Sequence, residues 1–294
     1  MPAETTDLGA APAARETPQR RRIWLCADDY GMSPGVNGAI RDLIARGRLN
    51  ATSVMVTAPS LNRSEAIALN VLNSAALRTA IGLHLTLTAP FRPLSAGFEP
   101  VSDGAFLPLG QTLREAFLRR LRHDALAAEI ASQLRAFSDL FGRPPDFVDG
   151  HQHVQLFPQI SGALLEVVKA RAPGAWLRQC GRAVALSERF GDRKGLLLDI
   201  LSVRFRRRAA ALGLRTNPGF AGTYDFNAQP DFATLFPRFL ERLPDGGVVM
   251  CHPGFVDAEL KQLDPLTTLR EQEYAYFAGD DFPAMLASRA VTLA

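Results

Sequence analysis

The stretch Ile23-Trp24-Leu25-Cys26-Ala27-Asp28-Asp29-Tyr30-Gly31 decides how this chain is read. Five apolar residues, of the kind a strand buried on both faces requires, run directly into two adjacent carboxylates and a glycine. Neighbouring like charges repel, and carboxylates at the mouth of a strand are costly to desolvate unless a cation or a proton offsets them. Three further segments carry histidine at or near the end of an apolar run: Gly82-Leu83-His84-Leu85, Asp149-Gly150-His151-Gln152-His153 and Met250-Cys251-His252-Pro253. Together they supply the oxygen and nitrogen donors of a mixed metal site.

Outward from that strand, helical and extended patterns alternate. Ser33-Pro34 offers a cap and a proline at the first helical position, opening a helix to about residue 46 that Gly47 stops. Short apolar or β-branched runs predict further strands over 51–56, 81–87, 147–154, 175–180, 216–220, 247–251 and 291–293. Between them, helices are expected from Ser60 to about 70 and over 113–141, 158–171, 196–211, 232–243, 267–279 and 282–289. Seven or eight strand–helix units predict an α/β fold with a mainly parallel sheet. No GxGxxG or GxxxxGK[ST] loop follows any strand, which removes the signature of nucleotide-binding open sheets. The expectation is a (β/α) barrel, TIM-type and distorted, because only a closed or strongly curved sheet gathers the ends of four separate strands.

The 294 residues suit one such domain, residues 21–294, behind a disordered arm over 1–20. Residues 88–112 interrupt the rhythm as an insertion. They carry Phe91, Phe98 and Phe106 as apolar material for a lid or a pocket wall. An apolar fraction of 47% supports a large core, and 33 basic against 30 acidic residues leave a net charge of +3. That surplus is too diffuse for a nucleic-acid partner. The clusters Arg20-Arg21-Arg22 and Arg204 with Arg206-Arg207-Arg208 read as solvated faces. Cys26, Cys180 and Cys251 lie in or beside apolar runs without CxxC spacing, as core residues of a cytoplasmic protein would. Residues 1–19 contain no apolar h-region, and no run approaches the roughly 18 apolar residues of a membrane span.

Two imidazoles and a carboxylate with an open position form a frequent catalytic ligand set. Asp28 and Asp29 sit at a strand-to-loop junction, where one can ligate while the other works on water. His151 and His153 are two apart on one face of an extended segment; either can ligate, with Asp149 orienting it. His123 falls in a charged helical stretch and reads as surface. Taken singly, His84 also reads as a core histidine and His252 as a strand terminus.

These residues resemble the YdjC-like carbohydrate deacetylases, which include chitooligosaccharide deacetylases and hopanoid-associated members. The matching stretches are Ala27-Asp28-Asp29-Tyr30-Gly31-Met32-Ser33, Gly82-Leu83-His84-Leu85, Val148-Asp149-Gly150-His151-Gln152-His153 with Phe157-Pro158-Gln159, and Met250-Cys251-His252-Pro253-Gly254. The resemblance implies a barrel-like fold, a homodimer, one divalent ion commonly described as magnesium, and hydrolysis of an N-acetyl group from an amino sugar. It implies Asp29, His84 and His151 as metal ligands, Asp28 as general base and His252 as the proton-delivering group. Gln152 and Gln155 stand where chitooligosaccharide deacetylases tend to show histidine, a departure that bears on substrate rather than on chemistry.

Two histidines and a carboxylate suit zinc on ligand softness, in tension with magnesium. Backbone N–H groups near Tyr30-Gly31 are candidate oxyanion donors. Tyr30, His153 and Arg178 are candidate substrate-binding residues, with Arg178 alternatively steadying a carboxylate. Two other readings compete: a metal-dependent phosphoesterase, which prefers more bridging carboxylates than these motifs offer, and a non-catalytic sugar-binding or regulatory protein on the same scaffold, against which the intact polar set argues.

Overall fold

The computed structural model describes residues 20–73, 78–184, 193–225 and 231–293. The expected arm therefore lies outside the described residues, save Arg20. Along the chain the strands are β1 (Arg21–Tyr30), β2 (Ala51–Val54), β3 (Ala80–Leu85), β4 (Val101–Ser102), β5 (Ala105–Phe106), β6 (Phe147–Gly150), β7 (Trp176–Leu177), β8 (Phe220–Ala221), β9 (Val248–Cys251) and β10 (Val291–Leu293). The main sheet runs β7-β6-β3-β2-β1-β9-β8, with β10 joined to the start of β1. Every pairing within it is parallel.

The sheet curls until its edges meet. Beyond β7, isolated parallel bridges link Leu177 to Thr216 and Arg182 to Phe220. This is a distorted (β/α) barrel, closed on one side by single bridges instead of a ladder. The distortion has a local cause: in the strand expected over 216–220, Pro218 offers no N–H to a ladder, and only Phe220–Ala221 pairs regularly.

Helices flank the sheet: α1 (Pro34–Ala45), α2 (Arg63–Leu72), α3 (Leu109–Phe117), α4 (His123–Phe141) and α5 (Ile160–Arg171), followed by Arg193–Ala211, Phe232–Phe239, Thr268–Ala278 and Asp281–Ser288. In α1 the Ser33 hydroxyl accepts from the Val36 N–H, and Val36, Ile40, Leu43 and Ile44 are buried as one stripe. Each such aliphatic contributes about 1.5–3 kcal/mol on burial, which holds the helix against β1. The cap of α2 is Asn62, whose side chain accepts from the N–H groups of Ser64 and Glu65. Ser60, expected in that role, donates instead to Glu259.

Residues 88–112 are packed against the barrel through buried aromatics. They contain the β4–β5 hairpin and the first turn of α3, which begins at Leu109 rather than near 113. Phe91, Phe98 and Phe106 are buried. Glu129 of α4 accepts from the backbone N–H groups of Leu94 and Ser95 and from the Ser95 hydroxyl. One turn on, Gln133 pins Thr86 by both its N–H and its carbonyl. No described helix is long and apolar enough to cross a membrane.

Candidate metal centre and active site

The strand β1 delivers two adjacent carboxylates to one place by breaking its own regularity. Its register against β2 shifts between Ala27 and Tyr30, and Asp29 adopts a left-handed backbone with φ of 73°. In an unbroken strand the two side chains would point to opposite faces. At this bulge both are buried at the C-terminal mouth of the barrel, each about 1% exposed.

His84 follows from β3 and His151 from the end of β6. Asp29 Oδ1 lies 3.3 Å from His84 Nε2 and 3.1 Å from His151 Nδ1, and one donor atom from each residue falls within 4.8 Å of the others. An ion bound at about 2.0–2.1 Å to three tetrahedral ligands requires donor separations of about 3.3 Å, so these residues fit a divalent cation. Asp149 accepts a 2.6 Å hydrogen bond at His84 Nδ1, which directs Nε2 towards Asp29. The Ser53 hydroxyl also lies within 3.0 Å of Nδ1.

Asp149 thus orients His84, not the His151/His153 pair for which the sequence suggested it. The reason is that β6 ends at Gly150. Gln152 and His153 take left-handed φ angles of 55° and 61°, and His151–Leu156 folds into a tight helical turn. His151 and His153 therefore part. The His151 ring meets His84 and Phe91 edge-on, whereas His153 packs edge-on to Phe220 with Nδ1 3.5 Å from the Cys180 sulfur. Gly150 leaves room for this turn, since a Cβ there would sit 2.7 Å from Gln155 Oε1.

Asp28 lies beside the trio in a different electrostatic setting. Arg178, wholly buried just beyond β7, donates from both terminal nitrogens to both oxygens of Asp28, each at 2.7 Å. Its Nη1 forms an ion pair with Asp149 Oδ2 at 3.0 Å, without hydrogen-bond alignment. The Ser53 hydroxyl adds a bond to Asp28 Oδ1. Cys26, Asp28 and Asp149 form a second grouping close enough to hold an ion, but the Arg178 guanidinium already supplies its cation. Arg178 steadies carboxylates here, the alternative raised beside its substrate-binding role.

The charges answer to these contacts. Burial alone would raise the Asp28 carboxyl, yet Arg178 and then His84 hold it well below the usual carboxylate range. Asp29 is likewise lowered against its burial, chiefly by Arg270 and the two histidines. Burial disfavours a charged His84, but Asp149 and Asp28 overcome this and push its pKa up to about 10. His153 goes the other way: burial and the nearby Arg178 bring it down to about 3, leaving a neutral ring.

His252 follows β9 directly, and its backbone N–H donates to Glu273. Tyr30 turns away from the centre: its hydroxyl donates to Glu65 of α2 and accepts from Arg41 of α1. The Gly31 N–H, one of the expected oxyanion donors, is taken by Asn37 Oδ1 at 2.6 Å. His123 is exposed, with Nε2 2.9 Å from the Glu166 carboxylate. The three cysteines are free and buried.

Sequence reading missed Arg270 and Glu273. Both are buried on the helix Thr268–Ala278. Arg270 contacts Asp29, and Glu273 accepts from the Tyr224 hydroxyl as well as from His252. Their spacing with Phe277 is that of one helical stripe, so two charges standing in line with a buried aromatic were the available signal.

A parallel, distorted (β/α) barrel with a carboxylate–imidazole centre at its strand ends defines the structural class. The sequence profile of the family described as YdjC-like protein matches residues 22–288, and the chain belongs to that family. The chitooligosaccharide deacetylase of Citrobacter koseri is 30% identical over 248 residues, 82% of this chain and 85% of the relative. That of Yersinia pestis is 30% identical over 237 residues, covering 80% and 82%. A crystal structure of an Enterococcus faecalis protein superposes with a TM-score of 0.74 at 20% identity, over 94% of this chain and 97% of that one, a likeness of fold.

Proposed function

We propose that this protein is a metal-dependent carbohydrate deacetylase, hydrolysing the N-acetyl group of an amino sugar in an oligosaccharide or glycoconjugate. The observation that carries this reading is the convergence of Asp29, His84 and His151 on one spot, with the ionised Asp28 beside them. The relatives named chitooligosaccharide deacetylase support the substrate class.

Asp29, His84 and His151 would hold a divalent ion, which when bound polarises an acetyl carbonyl and acidifies a water. Asp28 accepts the proton of the attacking water. Arg178 and Ser53 fix its orientation, and its lowered pKa keeps it ionised at neutral pH. The amine is a poor leaving group until it is protonated, and His252 delivers that proton from β9. Phe91, packed edge-on to His151, holds that ring in place beside the centre. The same reading includes a homodimer in the cytoplasm.

The test is acetate release from a panel of N-acetylglucosamine oligomers and conjugates by the metal-loaded protein, with one free amine appearing per acetate. Chelation should abolish it. A panel that yields no acetate, set beside efficient cleavage of a phosphomonoester, would replace this reading with the phosphoesterase one.

A further inference from the structure

The helix Thr268–Ala278 carries Arg270 inwards on the stripe it shares with Glu273 and Phe277, and Arg270 is wholly buried. Its Nη2 donates at 2.6 Å to Asp29 Oδ2 and at 2.6 Å to Asp264 Oδ2, while Nε donates to the Leu266 carbonyl. The two oxygens of Asp29 are thereby divided. Oδ2 belongs to the guanidinium, and Oδ1 faces both imidazoles.

That division limits what Asp29 offers an ion. With Oδ2 engaged, the protein supplies two nitrogens and a single oxygen. Borderline ions such as zinc accept that set readily. Oxygen-seeking ions such as magnesium and manganese favour carboxylate, carbonyl and water oxygens over imidazole, and gain from a second carboxylate oxygen.

We infer that Arg270 is a positioning residue that restricts Asp29 to single-oxygen ligation and so sets the preference of the centre for nitrogen-accepting divalent ions over oxygen-seeking ones. Asp264 is its second anchor, sharing Nη2 with Asp29 and balancing the charge of the guanidinium. This rests on Asp29, His84 and His151 being the ligands.

The experiment measures binding of Zn2+ and of Mn2+ to the metal-free full-length protein. Wild type is compared with Arg270→Met/Asp264→Asn, which removes the guanidinium without leaving Asp264 unpaired, and with Arg270→Lys, which keeps the charge but not the planar fork. The ratio of zinc to manganese affinity should fall at least tenfold in both variants. The visible absorption of the Co2+-loaded double variant should weaken as an oxygen ligand is added. Asp264→Asn alone, with Oδ2 still occupied, should stay within twofold of wild type. An unchanged ratio in the two Arg270 variants, or an equal loss in Asp264→Asn, overturns the role of Arg270. Failure of wild type to bind either ion at one per chain would instead remove the ligand assignment and this inference with it.

Discussion

Arg178 meets Asp28 fork to fork across the barrel mouth, two nitrogens to two oxygens at 2.7 Å each, with neither side chain more than about 2% exposed. A buried pair of this kind is worth little against an apolar replacement of both partners, but removing one partner strands a charge. Arg178→Met should therefore lower unfolding free energy by about 3–5 kcal/mol. Urea unfolding of the metal-free protein reads this directly. A loss below about 1 kcal/mol would mean that water reaches Asp28.

Base and ligand should separate by substitution. Asp28→Asn leaves the three proposed metal donors in place, so kcat should fall by about 10²–10⁴ while the bound metal stays near one ion per chain. His84→Ala removes a donor, and its occupancy should drop along with turnover. Elemental analysis beside acetate release makes the distinction; normal turnover in Asp28→Asn would assign the base elsewhere.

Metal uptake should release a proton. His84, pushed up to about 10 in the metal-free protein, is charged at neutral pH. An ion at Nε2 must displace that proton while Nδ1 keeps its bond to Asp149. The sign follows: zinc affinity rises with pH, by up to about tenfold per unit from this group, until about pH 10. The same charge stabilises the metal-free fold fully below the ordinary histidine range and is lost as pH climbs to about 10. Calorimetry at pH 7.5 in buffers of differing ionisation enthalpy should report close to one proton from this site. A heat independent of buffer would contradict it.

Asp149→Asn should weaken metal binding by about 10–100-fold, because it replaces the carboxylate that orients His84. Zinc titration against a fluorescent chelator would measure the change, and an affinity equal to wild type would refute the orienting role.

Gly82 sits against the face of Phe147: a Cβ there would lie about 2.5 Å from three ring atoms. Gly82→Ala should cost roughly 1–3 kcal/mol through forced repacking, visible in thermal unfolding. An undiminished melting temperature would show that Phe147 gives way freely.

The ends of β1, β3, β6 and β9 were legible because each carries its chemistry within a few residues of an apolar run. The alternation of elements from Pro34 to Val291 likewise announced the barrel. What escaped was contact made at long range. Arg270 reaches Asp29 across 241 positions, and nothing local to either residue declares the pairing. Strand lengths failed where backbone geometry intervened, as at Gln152 and His153, whose left-handed angles end β6 early, and at Pro218, which thins the last edge. The direction of Tyr30 was hidden for a related reason: past the bulge that buries both aspartates, its hydroxyl is held by Glu65 of α2.

The left-handed backbone of Asp29 has an evolutionary consequence. Asparagine, aspartate and glycine occupy that region readily, whereas glutamate or a β-branched residue would be strained there. Descendants of this chain that abandon hydrolysis should thus drift at position 29 towards asparagine or glycine, preserving the bend while silencing the centre. A glutamate, although it restores a carboxylate, would have to adopt the same strained backbone.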